Sequence, residues 1–488
     1  MRRPEGNAGA LVCEEKPRYR WLRELGRGAE GIVWLAYDRV REEPVAAKRL
    51  RAPSPTVLLR FKREFRVIAP LRHRHLVRLF DLWSDSNGHF FTMEPIDGQS
   101  LGAALRQRKH CSLSEKIRFA VDVGRQVLSG LAFLHSRQIV HRDIKPSNLM
   151  LGADGIVRLI DFGALAAPGY LAATRLDRSP VGTPPYRAPE QTRGEDATPA
   201  SDLYSFGVLL LQMTTEDSSG GLPDKLATLC EGLLRDDPRL RPDVPFALAA
   251  LGATNVTRIG RAPQNLPVGL PLDDIRARLA DWRERVSDGL FGAALVEGPR
   301  GSGKTTTLRW LQDFVHDLRG VVLTARPRPQ EHVVCNALDA AIDALAGALL
   351  EVPMDAELAH DVGVASEAFP VLAGRYAKRS VTDRSRAFDA VIRILGSLVG
   401  IDGLYLLVDD MHLADDESWA FFDRLIERRP AGVGLIAALR TDARRLGLSA
   451  WPEGRPNPHS GRPELVSASA RSRLVGLTTH ARPKLVEP

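Results

Sequence analysis

The sequence predicts a multidomain chain in which an α+β unit, strands first and helices after, is followed by an α/β unit. Three observations carry this. Residues 19 to 50 alternate apolar and polar positions through YRWLRELG, GIVWLAYD and PVAAKRL, broken by a glycine-rich turn and a charged one, which is a strand pattern. From Val57 to Ile68 the spacing turns helical, and Glu115 to His135 keeps an amphipathic period through Ile117, Val121, Val127, Leu128, Leu131 and Leu134. Beyond an aperiodic stretch from Asp243 to Asp273 holding Pro245, Pro263, Pro267 and Pro271, the apolar runs AALVEG and LYLLVDD suit buried parallel strands. Helical spacing over Leu338 to Leu350 and Arg384 to Leu398 separates them.

At 488 residues the chain exceeds what one core usually organises, and 44% hydrophobic with 26% charged content is ordinary for a folded chain. Cys13, Cys111, Cys230 and Cys335 stand far apart with no C-x-x-C spacing, so a reduced, cytoplasmic setting is expected and a zinc site is not. The N-terminal MRRPEGNAGALVCEEKPR has no apolar run of signal-peptide length and no segment reaches 18 uninterrupted apolar residues, so neither export nor a membrane span is expected. The net charge of +7 comes from 57 arginines and 10 lysines scattered over the chain, without an aromatic-interleaved basic stripe. A solvated basic surface is the expectation and nucleic-acid binding is not.

The chemistry is written in motifs. Gly26-x-Gly28-x-x-Gly31-x-Val33 sits in a strand-turn-strand context, where missing Cβ atoms let backbone N–H groups approach phosphate; a plain hairpin fits the same spacing. Val45-Ala46-Ala47-Lys48 puts Lys48 on one face of a strand, able to reach phosphates or simply to face water. Glu64, on the helical FKREFRVIAPL, can pair with Lys48 or face solvent. Far more specific is His141-Arg142-Asp143-Ile144-Lys145-Pro146-Ser147-Asn148, followed after LMLGADGIVRLI by Asp161-Phe162-Gly163. With it the sequence resembles the eukaryotic-type serine/threonine protein kinases of bacteria, over nearly all of residues 19 to 246.

That resemblance implies a bilobal α+β protein-kinase fold and transfer of the γ-phosphate of ATP to protein serine or threonine. Asp143 would orient and deprotonate the acceptor hydroxyl, Asn148 and Asp161 would hold Mg2+, and Lys48 would reach the α and β phosphates with Glu64 holding its ammonium in place. Gly26, Gly28, Gly31, Val33 and Ala46 would line the nucleotide, with Met93 as gatekeeper and the Glu94 carbonyl and Ile96 N–H facing adenine. Lys145 resembles the catalytic-loop lysine of the serine/threonine class. Gly182-Thr183-Pro184-Pro185-Tyr186-Arg187-Ala188-Pro189-Glu190 resembles the close of the activation loop, in which Glu190 would pair with Arg241 and Asp202 would brace the catalytic loop. Thr174, Ser179 and Thr183 offer hydroxyls for modification near Arg142. Gln212 to Leu226 is shorter and more polar than the family's helix-bearing segment.

In the second unit Gly298-Pro299-Arg300-Gly301-Ser302-Gly303-Lys304-Thr305 matches G-x-x-x-x-G-K-[ST] between a strand and the helical TTLRWLQDF. Gly298 and Gly303 shape the anion loop, Lys304 reaches the β and γ phosphates, and Thr305 can ligate Mg2+. LYLLV ends in Asp409, which would hold the metal's water shell, and Asp410, which can polarise water or simply start a helix. With HLADDESWAFFDRLIE these motifs resemble an α/β P-loop NTPase of the AAA-like, signal-transducing STAND class over about residues 265 to 445, with Arg440 or Thr441 as a γ-phosphate sensor.

The expected organisation is an N-terminal extension (1–18), a kinase domain (19–246), a linker (247–272), an AAA/STAND-like ATPase domain (273–446) and a disordered tail (447–488) with six prolines from Trp451 to Pro488. Expected partners are protein substrates with serine or threonine acceptors, and further copies associating through the P-loop domain. The leading function is a kinase with a nucleotide-dependent regulatory module in bacterial signalling. The alternative is an ATP-dependent switch or scaffold in which the kinase fold only binds.

Overall fold

The computed structural model describes residues 17–28, 31–51, 54–85, 87–166, 184–215, 222–252, 273–298, 300–317, 320–349, 352–372, 384–400, 402–440 and 477–478. The hydroxyls of Thr174, Ser179 and Thr183, the sensor candidate Thr441, most of the expected linker and nearly all of the expected tail lie outside them.

The first unit opens with β1 (Tyr19–Arg27), β2 (Gly31–Asp38) and β3 (Glu43–Leu50), followed by α1 (Pro55–Ile68), β4 (Leu79–Asp85) and β5 (Gly88–Met93). The strands form one sheet in the order β1-β2-β3-β5-β4. Alternation along β3 decides its faces: Val45 and Ala47 pack with Tyr19, Phe80 and Phe90 on one side, while Ala46 and Leu50 join Phe61, Phe65 and Phe91 on the other. Lys48 shares the parity of Ala46 and Leu50 and so faces α1. That helix starts where Ser54 accepts a hydrogen bond from Val57 N and Pro55 fills the first turn.

A second, mainly helical lobe follows. It contains β6 (Gly98–Ser100), α2 (Leu101–Gln107), α3 (Leu113–His135), β7 (Leu149–Gly152), β8 (Val157–Leu159), α4 (Pro189–Thr192), α5 (Pro199–Thr215), α6 (Asp224–Leu233) and α7 (Val244–Ala250). A reciprocal Ser112–Glu115 capping box starts α3. Its Gly124 lets Phe206 of α5 and Leu251 come close, and an added Cβ there would sit 3.0 Å from the Leu251 side chain. Helix α7 runs across the boundary expected at residue 246: Asp243 caps it, Pro245 lies in its first turn, and Val244, Ala247 and Leu251 are buried in the lobe. Pro245, which the sequence alone suggests as a linker residue, lies at the start of a helix.

The second unit comprises α8 (Asp273–Ser287), β9 (Gly292–Gly298), α9 (Lys304–Asp317), β10 (Val321–Ala325), β11 (Glu331–His332), α10 (Asn336–Ala348), α11 (Ala356–Ala368), α12 (Arg384–Ser397), β12 (Leu404–Val408), α13 (Asp416–Arg428), β13 (Val433–Arg440) and β14 (Leu477–Thr478). Its sheet has the order β10-β12-β13-β9-β14 and is parallel throughout. Strand β12 is buried on both faces, Leu404, Leu406 and Val408 in one core and Tyr405 and Leu407 in the other. Strand β14 is the described fragment of the expected disordered tail, and it pairs with Val296 and Glu297. Strand β11 leaves its own unit: it pairs in parallel with β4 and extends the first unit's sheet.

Candidate active site

The glycine-rich turn joins β1 to β2, with Gly28 N donating to Gly31 O at 2.9 Å. Its glycines do different jobs. A Cβ on Gly31 would meet the Arg49 carbonyl oxygen at 2.4 Å, so this glycine is required by β2–β3 contact. Gly26 has open space before it and Gly28 nearly so, leaving their backbone accessible to a phosphate. Val33 stands opposite Lys48 across β2–β3, and Ala46 opposite Met93 across β3–β5. Beyond Met93, Glu94 is held to Arg78 by two 2.9 Å bonds, one through its own N–H and one through its carboxylate, and Ile96 packs on the core.

Lys48, Glu64 and Asp161 meet where β3, α1 and the segment after β8 converge. Lys48 Nζ lies 3.1 Å from Glu64 Oε2 and 3.0 Å from Asp161 Oδ1. Glu64 also accepts from Phe162 N at 3.2 Å, and the Phe162 ring is buried. Burial disfavours the Lys48 ammonium, but Glu64 and Asp161 outweigh it and hold its pKa above the ordinary value. Burial pushes the Glu64 carboxyl up to about 7 against the pull of Lys48. Burial also works against the Asp161 charge, yet Lys48 keeps that carboxyl below its usual range.

The catalytic-loop candidates gather between α3 and β7. Asp143 Oδ2 accepts from Lys145 Nζ at 2.6 Å and from Asn148 Nδ2 at 2.9 Å. Asp202, fully buried at the start of α5, accepts from His141 N and Arg142 N at 2.9 and 2.8 Å. Burial opposes its charge, but the 2.7 Å bond to His135 and the nearby imidazoles hold its pKa down. It thus fixes a loop in which Arg142 takes a φ of 70°, a left-handed conformation costly for a non-glycine residue. Sequence reading missed His135 and Gln191, whose Nε2 donates to Arg142 O at 3.2 Å; neither belongs to a local motif. Glu190 and Arg241 form a two-bond buried pair at 2.7 and 2.8 Å.

In the second unit the loop after β9 turns through Gly301 and Gly303, both at positive φ, into the N-terminus of α9. Lys304 Nζ donates to Gly298 O at 2.9 Å, and Thr305 Oγ1 donates to Asp409 Oδ2 at 2.8 Å. Arg440, at the end of β13, is in register with Gly298. Asp410 takes a left-handed φ of 51° and its carboxylate accepts from Arg326 at 2.6 and 2.9 Å. Arg326, another residue outside every motif, also lies 3.8 Å from Asp409. Both sites fit a magnesium triphosphate: each sets a lysine and hard oxygen donors beside a glycine turn with exposed backbone.

Residues 19–219 match the protein kinase domain family and residues 272–438 the AAA ATPase domain family. Helices α6 and α7 lie beyond the first match yet pack in the same core. The chain is 36% identical over 224 residues to the serine/threonine-protein kinase PknD of Chlamydia caviae, covering 41% of this chain and 24% of that protein. To PrkC of Bacillus subtilis it is 33% identical over 201 residues, covering 41% and 30%. To a probable serine/threonine-protein kinase PknB of Lactococcus lactis it is 28% identical over 278 residues, covering 56% and 41%. The chain thus spans about a quarter to two fifths of the length of these curated relatives. Among the described residues no helix is long and apolar enough to cross a membrane.

Proposed function

We propose that this chain, a protein kinase domain of the bacterial serine/threonine type followed by an AAA ATPase domain, phosphorylates proteins on serine or threonine and uses the second domain as a nucleotide-dependent regulator in signalling. One observation carries the kinase reading: Lys48 is bonded at once to Glu64 on α1 and to Asp161 beyond β8, the arrangement a phosphate clamp requires. Lys48 would hold the nucleotide's phosphates, and Glu64 would keep the ammonium aimed. Asp143 would accept the acceptor hydroxyl's proton, with Lys145 at 2.6 Å steadying the charge on that carboxylate. Asn148 and Asp161 would hold magnesium, which when bound neutralises charge on the triphosphate. In the second domain Lys304, Thr305 and Asp409 would hold ATP and magnesium, with Asp410 and Arg440 beside them. Free Cys111, Cys230 and Cys335 favour a reducing, cytoplasmic setting.

The test is phosphate transfer from labelled ATP by the purified full chain to itself and to a generic protein substrate, with phosphoamino-acid analysis. Label on serine or threonine is expected. Asp143→Asn should keep ATP binding and lose transfer; equal loss of both would contradict the role given to Asp143.

A further inference from the structure

The outer face of α1 is covered by the ATPase domain. Lys62 Nζ pairs with Asp339 at 2.6 Å and with Asp343 at 3.2 Å, both on α10. Arg66, one turn along, bonds Glu331 of β11 at 3.1 Å and reaches Asp339 and Asp343 as well. All five side chains are almost completely buried. Arg328 adds a third cation, 3.8 Å from Glu331, and donates to the Arg66 carbonyl at 2.6 Å. Apolar side chains cross in both directions, Leu59 of α1 into the ATPase core and Val333 into the kinase core. Leu82 N donates to Gln330 O at 2.8 Å, and the Trp83 and His332 rings stack at 4.2 Å. Buried charges are strongly destabilising without their partners, so this face is made for that occupant.

The segment that reaches α1 begins at the other nucleotide site. Asp409 N donates to the carbonyl of Ala325, and the next residue, Arg326, holds Asp410. Two positions on, Arg328 grips α1, and Glu331 follows. We infer that the face of α1 bearing Lys62 and Arg66 is the interaction surface for the ATPase domain, and that residues 326–332 couple that domain's nucleotide site to the helix carrying Glu64. The coupling rests on the reading of Lys304, Thr305 and Asp409 as a nucleotide site. A magnesium nucleotide there makes a rival claim on the carboxylates that Arg326 holds, since magnesium prefers the same oxygen atoms. Occupancy therefore favours one placement of Arg326 over another, which is the differential contact that coupling needs. Arg326 is a positioning residue in this scheme: it holds Asp410 and acts through α1.

Hydrogen exchange of the full chain with the magnesium complex of the non-hydrolysable analogue AMPPNP tests this, with bound analogue counted in parallel. Occupancy of the kinase site alone is read from Lys304→Ala. In the unaltered chain, exchange over residues 326–332 and 55–68 should differ from that variant by about fivefold or more, the lower range of site-to-site coupling. Arg326→Ala, half exposed and outside the core, should remove the difference over 55–68. The paired Asp339→Asn, Asp343→Asn chain should do the same from the other end. A difference over 55–68 that persists in Arg326→Ala overturns the coupling. So does two-site binding without any difference between the unaltered chain and Lys304→Ala. Binding at fewer than two sites in the unaltered chain removes the P-loop reading itself, and the coupling with it.

Discussion

Lys48 and Glu64 form a buried pair whose carboxyl is held near neutrality, and this gives the kinase site a pH dependence of definite sign. Above pH 7 Glu64 is charged and pairs with Lys48; as pH falls through about 7 it takes a proton and the clamp weakens. Transfer should therefore decline on the acid side, and Glu64→Gln, already slower, should lack that limb when rates at saturating ATP are compared between about pH 6 and pH 8. The stability term runs the other way. The folded pKa exceeds the ordinary 4.5, so the folded chain binds the extra proton and Glu64 costs stability as pH rises between those values. Lys48→Met removes the proposed phosphate clamp and should lower autophosphorylation by about a hundredfold or more, the usual effect of deleting a transition-state donor, while thermal unfolding remains cooperative. Wild-type-like labelling in that variant would refute the assignment.

At the scale of elements, β2, β3 and α1 hold the site through packing that can be perturbed one glycine at a time. Gly31→Ala drives a Cβ into the Arg49 carbonyl at 2.4 Å and must spread β2 from β3, at a cost of about 1–3 kcal/mol. Gly26→Ala meets nothing within 4 Å and should leave the melting temperature unchanged. Differential scanning calorimetry of the two variants side by side checks this, and equal destabilisation would mean that the turn is strained as a whole. The brace at the base of the second lobe works differently. Glu190 and Arg241 are buried together, so Glu190→Ala leaves a buried guanidinium with backbone carbonyls but no carboxylate and should cost about 3–5 kcal/mol in denaturant unfolding.

For the whole molecule, the cluster around Lys62 and Arg66 ties α1 of the first domain to α10 and β11 of the second. Asp339→Ala should destabilise the chain by about 3–5 kcal/mol, because two buried cations lose a shared carboxylate. Replacing Lys62, Arg66, Glu331, Asp339 and Asp343 together by apolar residues of similar size should cost far less, since no fully buried charge is left unpaired and Arg328, which loses Glu331, is partly exposed and keeps its bond to the residue 66 carbonyl. Denaturant melts of the two chains decide this. If the first variant melts like the unaltered chain, the cluster is not what holds the domains together.

Much of both sites could be read from sequence because their groups are neighbours along the chain. Asp143, Lys145 and Asn148 fall in one loop, Lys304 and Thr305 begin one helix, and alternation along PVAAKRL turns Lys48 to the same side as Ala46 and Leu50. A two-residue or four-residue period states which face of an element is buried. It does not state against what. Lys48 finds Glu64 16 residues away and Asp161 113 away, and Lys62 finds Asp339 277 away, in pairings that only the packed core selects. Strand β11 has two residues, too few for any period, and Arg326 follows a strand with no motif around it. The sequence by itself determined two sets of motifs, the catalytic-loop pattern of the first domain and the P-loop pattern of the second, and the elements that carry them. Only the tertiary structure decided that one domain lies on α1, the helix whose Glu64 bonds Lys48 of the other, because that choice is made by charges hundreds of residues apart that are stable in the interior only together.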